Sequence, residues 1–140
     1  MLTVPVEIRK SEIHGYGVFA RRDIPAGTVI WQFTPGLDRV VSVFATENAE
    51  PRIRGYIMER GYVNPLELDD VVICVDEAQF LNFPKRGQMA NTKLGGSIDG
   101  QNLILAAENI LAGTEMTVPP ESDGDYERKM KQHESQGTVR

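Results

Sequence analysis

Cysteine is almost missing from this sequence: Cys74 stands alone among 140 residues. A single thiol excludes a disulfide within the chain and a zinc cage built from thiolates. Histidine is nearly as scarce, and His14, His133 and Cys74 have no metal-ligand spacing, so no metal is expected. No apolar run approaches the ~18 residues of a membrane span. The opening MLTVPVEIRK has no basic region followed by an apolar stretch, so a secretory signal is not expected and a cytoplasmic protein is. Positive charge is in deficit, with 15 Lys and Arg against 20 Asp and Glu and a net charge of −5. That argues against direct nucleic-acid binding through phosphate neutralisation and favours a basic partner, such as a lysine-rich peptide, through steering. A nucleophile elbow and a phosphate loop are also missing. Asp69-Asp70 and Asp76-Glu77 are adjacent carboxylates that face apart in an extended chain, and they read as solvated or as rim charges for a basic peptide.

What is present fits one soluble domain, with 41% apolar and 25% charged residues. A chain of this size buries roughly 68–70% of the surface its unfolded form exposes, enough for a core. The most informative stretch is residues 12–30, EIHGYGVFARRDIPAGTVI. Gly15-Tyr16-Gly17 precedes a short apolar strand, and glycine lets a backbone or a small polar ligand approach the main chain closely. Ile24-Pro25-Ala26-Gly27 then makes a tight turn into a second apolar run. Residues 106–114 repeat the pattern of residues 20–28: a strand, a polar corner, an isoleucine, an Ala-Gly turn and another strand. Two such corners near opposite ends of the chain imply a compact β architecture that brings those ends together.

Elsewhere, Val4, Val6 and Ile8 alternate with Pro5 and Glu7 as a half-buried strand with Pro5 at its start or edge. Residues 38–44 read as a short strand or a turn of helix. Residues 46–60 read as one helix with Ile53, Tyr56 and Ile57 on one face, Pro51 in its first turn and Gly61 as its stop. The β-branched run at 71–75 predicts a strand buried on both faces. Asp76 is placed to cap a short helical turn, and Asp99-Gly100 to form a hairpin tip. After Pro119-Pro120 the chain turns polar, and residues 126–135 predict a charged helix capped by Asp125, with Tyr126, Met130 and His133 on one face and a Glu127–Lys131 pair. Residues 136–140 are expected to fray. The division is therefore a domain over 1–120 and a charged tail or helix over 121–140.

The run Gly15-Tyr16-Gly17-Val18-Phe19-Ala20, followed by Asp23-Ile24-Pro25-Ala26-Gly27-Thr28-Val29-Ile30, resembles the opening of a SET domain, the fold of S-adenosylmethionine-dependent protein-lysine methyltransferases. Residues 106–118 resemble its closing hairpin, and Phe80-Leu81-Asn82 the start of the family's Asn-His-Ser motif. The resemblance covers roughly residues 4–118. It implies a mainly β, SET-like (β-clip) fold of several short sheets, with a knot-like crossing and one or two short helices. It implies S-adenosylmethionine as cofactor, held by Gly15, Tyr16, Gly17 and Asn82, and a basic lysine-containing protein or peptide as substrate.

The sequence departs from the family in two places. Asn82 is followed by Phe83-Pro84 rather than His-Ser, with Ala90-Asn91-Thr92 further on. Where the family ends its last strand in an acidic residue and a catalytic tyrosine, this chain has Val118-Pro119-Pro120. Proline has no hydroxyl and no N–H donor, so Tyr126, carried back by the 119–125 loop, becomes the candidate catalytic tyrosine. Tyr56, Tyr62, Phe80 and Phe83 are candidates for an aromatic lysine channel. A zinc module after the domain is not in the sequence, so either the helix over 126–133 closes the channel or a second copy does so in a homodimer. Two readings follow: a protein-lysine methyltransferase, or a degenerate SET-like module that binds cofactor, peptide or a partner protein. A purely structural domain with an empty site would need only the fold.

Overall fold

The computed structural model describes residues 1–136, in which nine short strands form three antiparallel sheets of three strands each. The expected mainly β architecture of short sheets is what the chain adopts. In the first sheet Val6–Lys10 (β1) pairs with Tyr16–Ala20 (β2), whose other edge takes Glu115–Met116 (β9). The alternation in β2 decides its two faces. Val18 and Ala20 are buried in the core, while Phe19 carries the Arg9 guanidinium 4.1 Å above its ring.

The two similar corners meet. Ile24 and Ile110 form a bridge in which each N–H donates to the other's carbonyl, at 2.7 and 2.8 Å. The contacts around them are reciprocal. Gly113 N donates to Ala20 O and Gly27 N to Ala106 O, while Asp23 Oδ1 accepts from Ala112 N and Asn109 Oδ1 from Ala26 N. Gly27 and Gly113 both have φ of 86°, the left-handed region that glycine enters without steric cost. The corners thus form a local two-fold pair, and their isoleucines join Val18, Ile30, Ala106 and Met116 in one core cluster.

In the second sheet Gln101–Ala106 (β8) lies between Val29–Trp31 (β3) and Thr92–Ile98 (β7). Asp99 and Gly100, both at positive φ, form the hairpin tip between β7 and β8, as expected from Asp-Gly chemistry. In the third, Asp70–Ile73 (β6) lies between Arg39–Ser42 (β4) and Tyr62–Val63 (β5). Val71 and Val72 are fully buried, but Val75, beyond the strand, is exposed.

The single helix expected over 46–60 is two. Val43–Glu47 (α1) starts on Ser42, whose Oγ accepts from Ala45 N, and ends at Asn48. Pro51–Arg60 (α2) restarts with proline in its first turn and Glu50 as its cap. Its apolar residues are not a core face: none of α2 is buried, and Tyr56 is 58% exposed. Gly61 stops α2 for a different reason than expected. Its φ is −89°, so no left-handed cap is needed. A Cβ there would instead lie 2.9 Å from Ile57 O, Val72 O and Val71 Cγ1.

Tyr126–Ser135 (α3) forms where expected, although the Asp125 side chain makes no cap hydrogen bond. It is no loose tail, since Lys129, Met130 and His133 are buried against the rest of the chain. Residues 137–140, most of the segment expected to fray, lie outside the described residues. No helix among the described residues is long and apolar enough to cross a membrane.

Because two of the three atoms that crowd Gly61 belong to the backbone, Gly61→Ala is expected to lower stability by about 1–3 kcal/mol. Urea unfolding followed by far-ultraviolet circular dichroism measures it.

Candidate functional site

The site begins with a crossing of the chain. Segment 115–118 runs between Asn82 and Asn91, which hold opposite groups of its backbone. Val118 N donates to Asn82 O, and Asn82 and Thr117 form a parallel bridge. Asn91 Nδ2 donates to Glu115 O at 2.8 Å, and Asn91 Oδ1 accepts from Thr117 N at 2.9 Å. Thr92 Oγ1 donates to Thr117 O. The expected crossing is therefore intact even though Phe83-Pro84 stands where His-Ser belongs.

From this crossing Asn82 reaches the glycine loop. Its Nδ2 lies within hydrogen-bond distance of His14 O (3.0 Å), Tyr16 O (3.1 Å) and Glu115 Oε2 (2.9 Å). Glu115 also accepts from Ser11 Oγ at 2.8 Å. A Cβ on Gly17 would sit 2.2 Å from Glu115 Oε2. Gly17 is thus a glycine to admit that carboxylate.

Beside the loop is a cavity of about 180 Å³. It is lined by Gly15, Tyr16, Asn82 and Phe83, by Tyr62, Phe80 and Leu81, and by Lys129, Met130 and His133 of α3. Of the residues expected to bind cofactor, Gly15, Tyr16 and Asn82 line it, while Gly17 lies behind them against Glu115. Tyr16 is 60% exposed, so it stands at the mouth and not in the core. Gly15 has φ of 50° and nothing within 4 Å of where its Cβ would be. The Arg60 guanidinium lies 4.5 Å over the Phe80 ring, a cation on an aromatic face at the cavity wall.

Tyr126 is not among the residues lining this cavity. It meets Phe83 edge-on at 4.8 Å, with Arg86 5.8 Å from its ring on the other side. Arg86 itself forks onto Glu134 at 2.9 and 3.0 Å and reaches Glu127 at 3.3 Å, so Glu127 pairs across to the 83–88 loop and not along the helix to Lys131. Tyr16 and Tyr62 do line the cavity, and burial holds the phenol of Tyr62 above the usual range for tyrosine. It packs edge-on to Trp31 at 6.1 Å. Tyr56, by contrast, is exposed on α2 and away from the cavity lining. Asp76 is no rim charge: it accepts from Leu2 N and Ala78 N, capping the 3-10 turn Glu77–Phe80 as expected.

The fold brings together groups that sequence spacing kept apart. Lys129, buried on α3, donates to Asp123 Oδ2 at 2.8 Å and to Gly61 O. Asp123 Oδ1 accepts from Val63 N and Asp125 N. In the cavity lining His14 and His133 stack at 3.7 Å between ring centroids and 16° between planes. Both Nε2 atoms lie near Glu59 Oε1, at 3.3 and 3.4 Å. Hydrogen bonds from His133 and then His14 hold the Glu59 carboxyl well below the usual carboxylate range. Cys74 is not part of this group. The sequence signals for these partners were faint: a histidine next to Gly15, and Met130 and His133 at helical spacing.

Three small sheets, paired corners, a glycine loop and a clamped closing strand define a β fold built around one cleft. The SET-domain family model matches residues 15–119, and the chain belongs to the SET-domain family. A search of curated proteins gives no match. Among solved structures, the chain is similar to a crystal structure from Plasmodium falciparum described as a putative histone methyltransferase. The TM-score is 0.53 at 18% identity, over 84% of this chain and 94% of that one.

Two outcomes are expected. Asp123→Ala strands a buried ammonium and is expected to cost about 3–5 kcal/mol, whereas Asp123→Ala with Lys129→Met recovers much of it. Chemical denaturation of the three proteins measures the difference. Burial, reinforced by Asp38, pushes the Cys74 thiol up from 9.0 to about 12. The neutral thiol is the form that the folded state favours, so this contribution to stability is full below pH 9 and is lost as pH rises toward 12. Iodoacetamide at pH 8 is expected to spare Cys74 in the folded protein and label it in denaturant.

Proposed function

We propose that this protein methylates a protein lysine side chain with S-adenosylmethionine bound in the cavity beside Gly15. The observation that carries the reading is the convergence of Gly15, Tyr16 and Asn82 on one cavity with the aromatic residues Tyr62, Phe80 and Phe83. The residues fit such a cofactor. The space beside the Gly15 α-carbon lets a ligand come close to the loop, and the apolar walls of Leu81, Phe83 and Met130 suit a flat ring. When bound, the cofactor supplies an electrophilic methyl group on a sulfonium.

The chain's own residues do the rest. Asn82 fixes the carbonyls of His14 and Tyr16, and so the shape of the loop. Aromatic rings at the wall attract a cationic lysine head and exclude water around it. Tyr62, protonated at all working pH values, offers a hydroxyl to orient the amine once it is neutral. This assigns to Tyr62 the part that the sequence pattern assigned to Tyr126. α3 closes the cavity from within one chain, which favours closure by the helix over closure by a second copy. The net charge of −5 favours a basic protein or peptide as substrate.

The second reading, a cofactor- or protein-binding module without turnover, is favoured by Pro119-Pro120 at the end of the closing strand, where no side-chain hydroxyl is available.

Calorimetric titration with S-adenosylhomocysteine is expected to show one site per chain, weakened in Tyr16→Ala, whose exposed ring the fold does not need. With a lysine-rich histone mixture and labelled cofactor, Tyr62→Phe is expected to lose about 10²-fold in turnover with cofactor binding unchanged. Tyr126→Phe is expected to keep its turnover. Binding without turnover in the wild type selects the second reading, and no binding refutes the first and leaves a module that binds a protein partner.

A further inference from the structure

We propose that His14, Glu59 and His133 form a binding site for one divalent transition-metal ion, of the zinc class, in the lining of the cavity. The three residues come from the loop before Gly15, from the last turn of α2 and from α3. Each offers one ligand atom, and the three atoms lie within 4.8 Å of one another. Two imidazoles and a carboxylate are a donor set that zinc and its neighbours take up, with a remaining position left for water or another ligand.

The distances of these long contacts to Glu59 also suit the ligands of one ion. Nε2 of His14 and of His133 stand 3.3 and 3.4 Å from the same Oε1 of Glu59. Good N–H···O contacts are about 2.7–3.2 Å. Two bonds of about 2.0–2.2 Å meeting at a tetrahedral angle place their ligand atoms about 3.3–3.5 Å apart. The nitrogen–oxygen edges of this triangle already have that length. The two imidazoles are stacked 16° from parallel, so their in-plane lone pairs run side by side, and one ring has to turn for both to meet an ion. All three residues line the cavity, so the remaining position faces it. The ion would join the loop before Gly15, α2 and α3 at one point, fixing α3 as the cavity wall. The proposal does not depend on the methyltransferase reading, since it concerns only what these three side chains hold.

The test is titration of the full chain with Co²⁺, read by visible absorption, and with Zn²⁺, read by thermal unfolding. The expected result is one equivalent of cobalt with the intense bands of a tetrahedral site, displaced by zinc, and a rise in Tm that grows with zinc concentration. Glu59→Gln keeps the side-chain shape and is expected to lose the bands and the Tm rise. His133→Ala is expected to do the same, and Lys131→Ala, exposed on the same helix, to change neither. Circular dichroism of each protein without metal shows that it is folded before titration. A folded wild type that gives no bands and no Tm rise at saturating metal overturns the proposal. So does a Glu59→Gln protein that binds as the wild type does, or binding that survives in a His14→Ala, His133→Ala double variant.

Discussion

The structure depends on how one short strand is held. β9 is two residues long and pairs with β2 on one edge alone. Beyond that, the extended backbone at 115–118 is satisfied mainly by Asn82, Asn91 and Thr92, which take up the groups a further strand would otherwise pair. Asparagine suits this because one amide carries both a donor and an acceptor at strand spacing. The same grip shapes the cleft. Asn82 Nδ2 has three acceptors near two hydrogens, so one hydrogen is shared, and the loop carbonyls and the Glu115 carboxylate are drawn to one point. Gly17 leaves room for the Glu115 carboxylate, which lies against its α-carbon. Loop, crossing and closing strand are therefore one unit.

A second device sets the opposite wall. α3 is a polar helix, with little apolar surface to bury apart from Met130. It is seated instead by a buried ion pair, Lys129 with Asp123, whose remaining lone pairs and protons go to Val63 N, Asp125 N and Gly61 O. Removing two charges from water is costly, and the pair recovers that cost only where the surrounding hydrogen bonds are complete, as they are at Asp123. The arrangement gives placement more than stability. It fixes which turn of α3 faces the cavity, and with it the positions of Met130 and His133. The exposed Arg86 fork onto Glu134 adds little energy in water but ties the 83–88 loop to the same helix.

Much of the fold could be read from the sequence because its signals are local. The Ile-x-Ala-Gly corners, the Asp99-Gly100 tip and the Asp76 cap each rest on the backbone preferences of a few adjacent residues. The repeat also predicted the meeting of the chain's ends, since two like corners can complete each other's hydrogen bonds. What failed rested on longer patterns. Ile53, Tyr56 and Ile57 have helical spacing, yet spacing cannot tell a core face from an exposed one, and Pro51 with Glu50 starts a new helix where one continuous helix was expected. Gly61 has the position of a left-handed cap but is needed for space. In the site, Gly15, Tyr16 and Asn82 could be named because they lie in motifs. The Tyr62 wall, the Lys129–Asp123 pair and the histidine pair depend on residues far apart in the chain, whose proximity no periodicity encodes.

The departure at Asn82-Phe83-Pro84 is best understood through α3. The crossing does not need the missing histidine, since the Asn82 main chain and the Asn91 amide hold it. What Phe83 supplies is an aromatic face directed to the helix: it lines the cavity and meets Tyr126 edge-on, while Arg86, three residues further along, grips the outer side of α3. The motif position has become part of the seat for the helix. Tyr126 is held in that seat, which is why it does not line the cavity as Tyr62 of β5 does. The unusual motif and the unusual ending of the closing strand are thus linked. A chain that closes its cleft with its own terminal helix uses the residues after Asn82 to hold that helix.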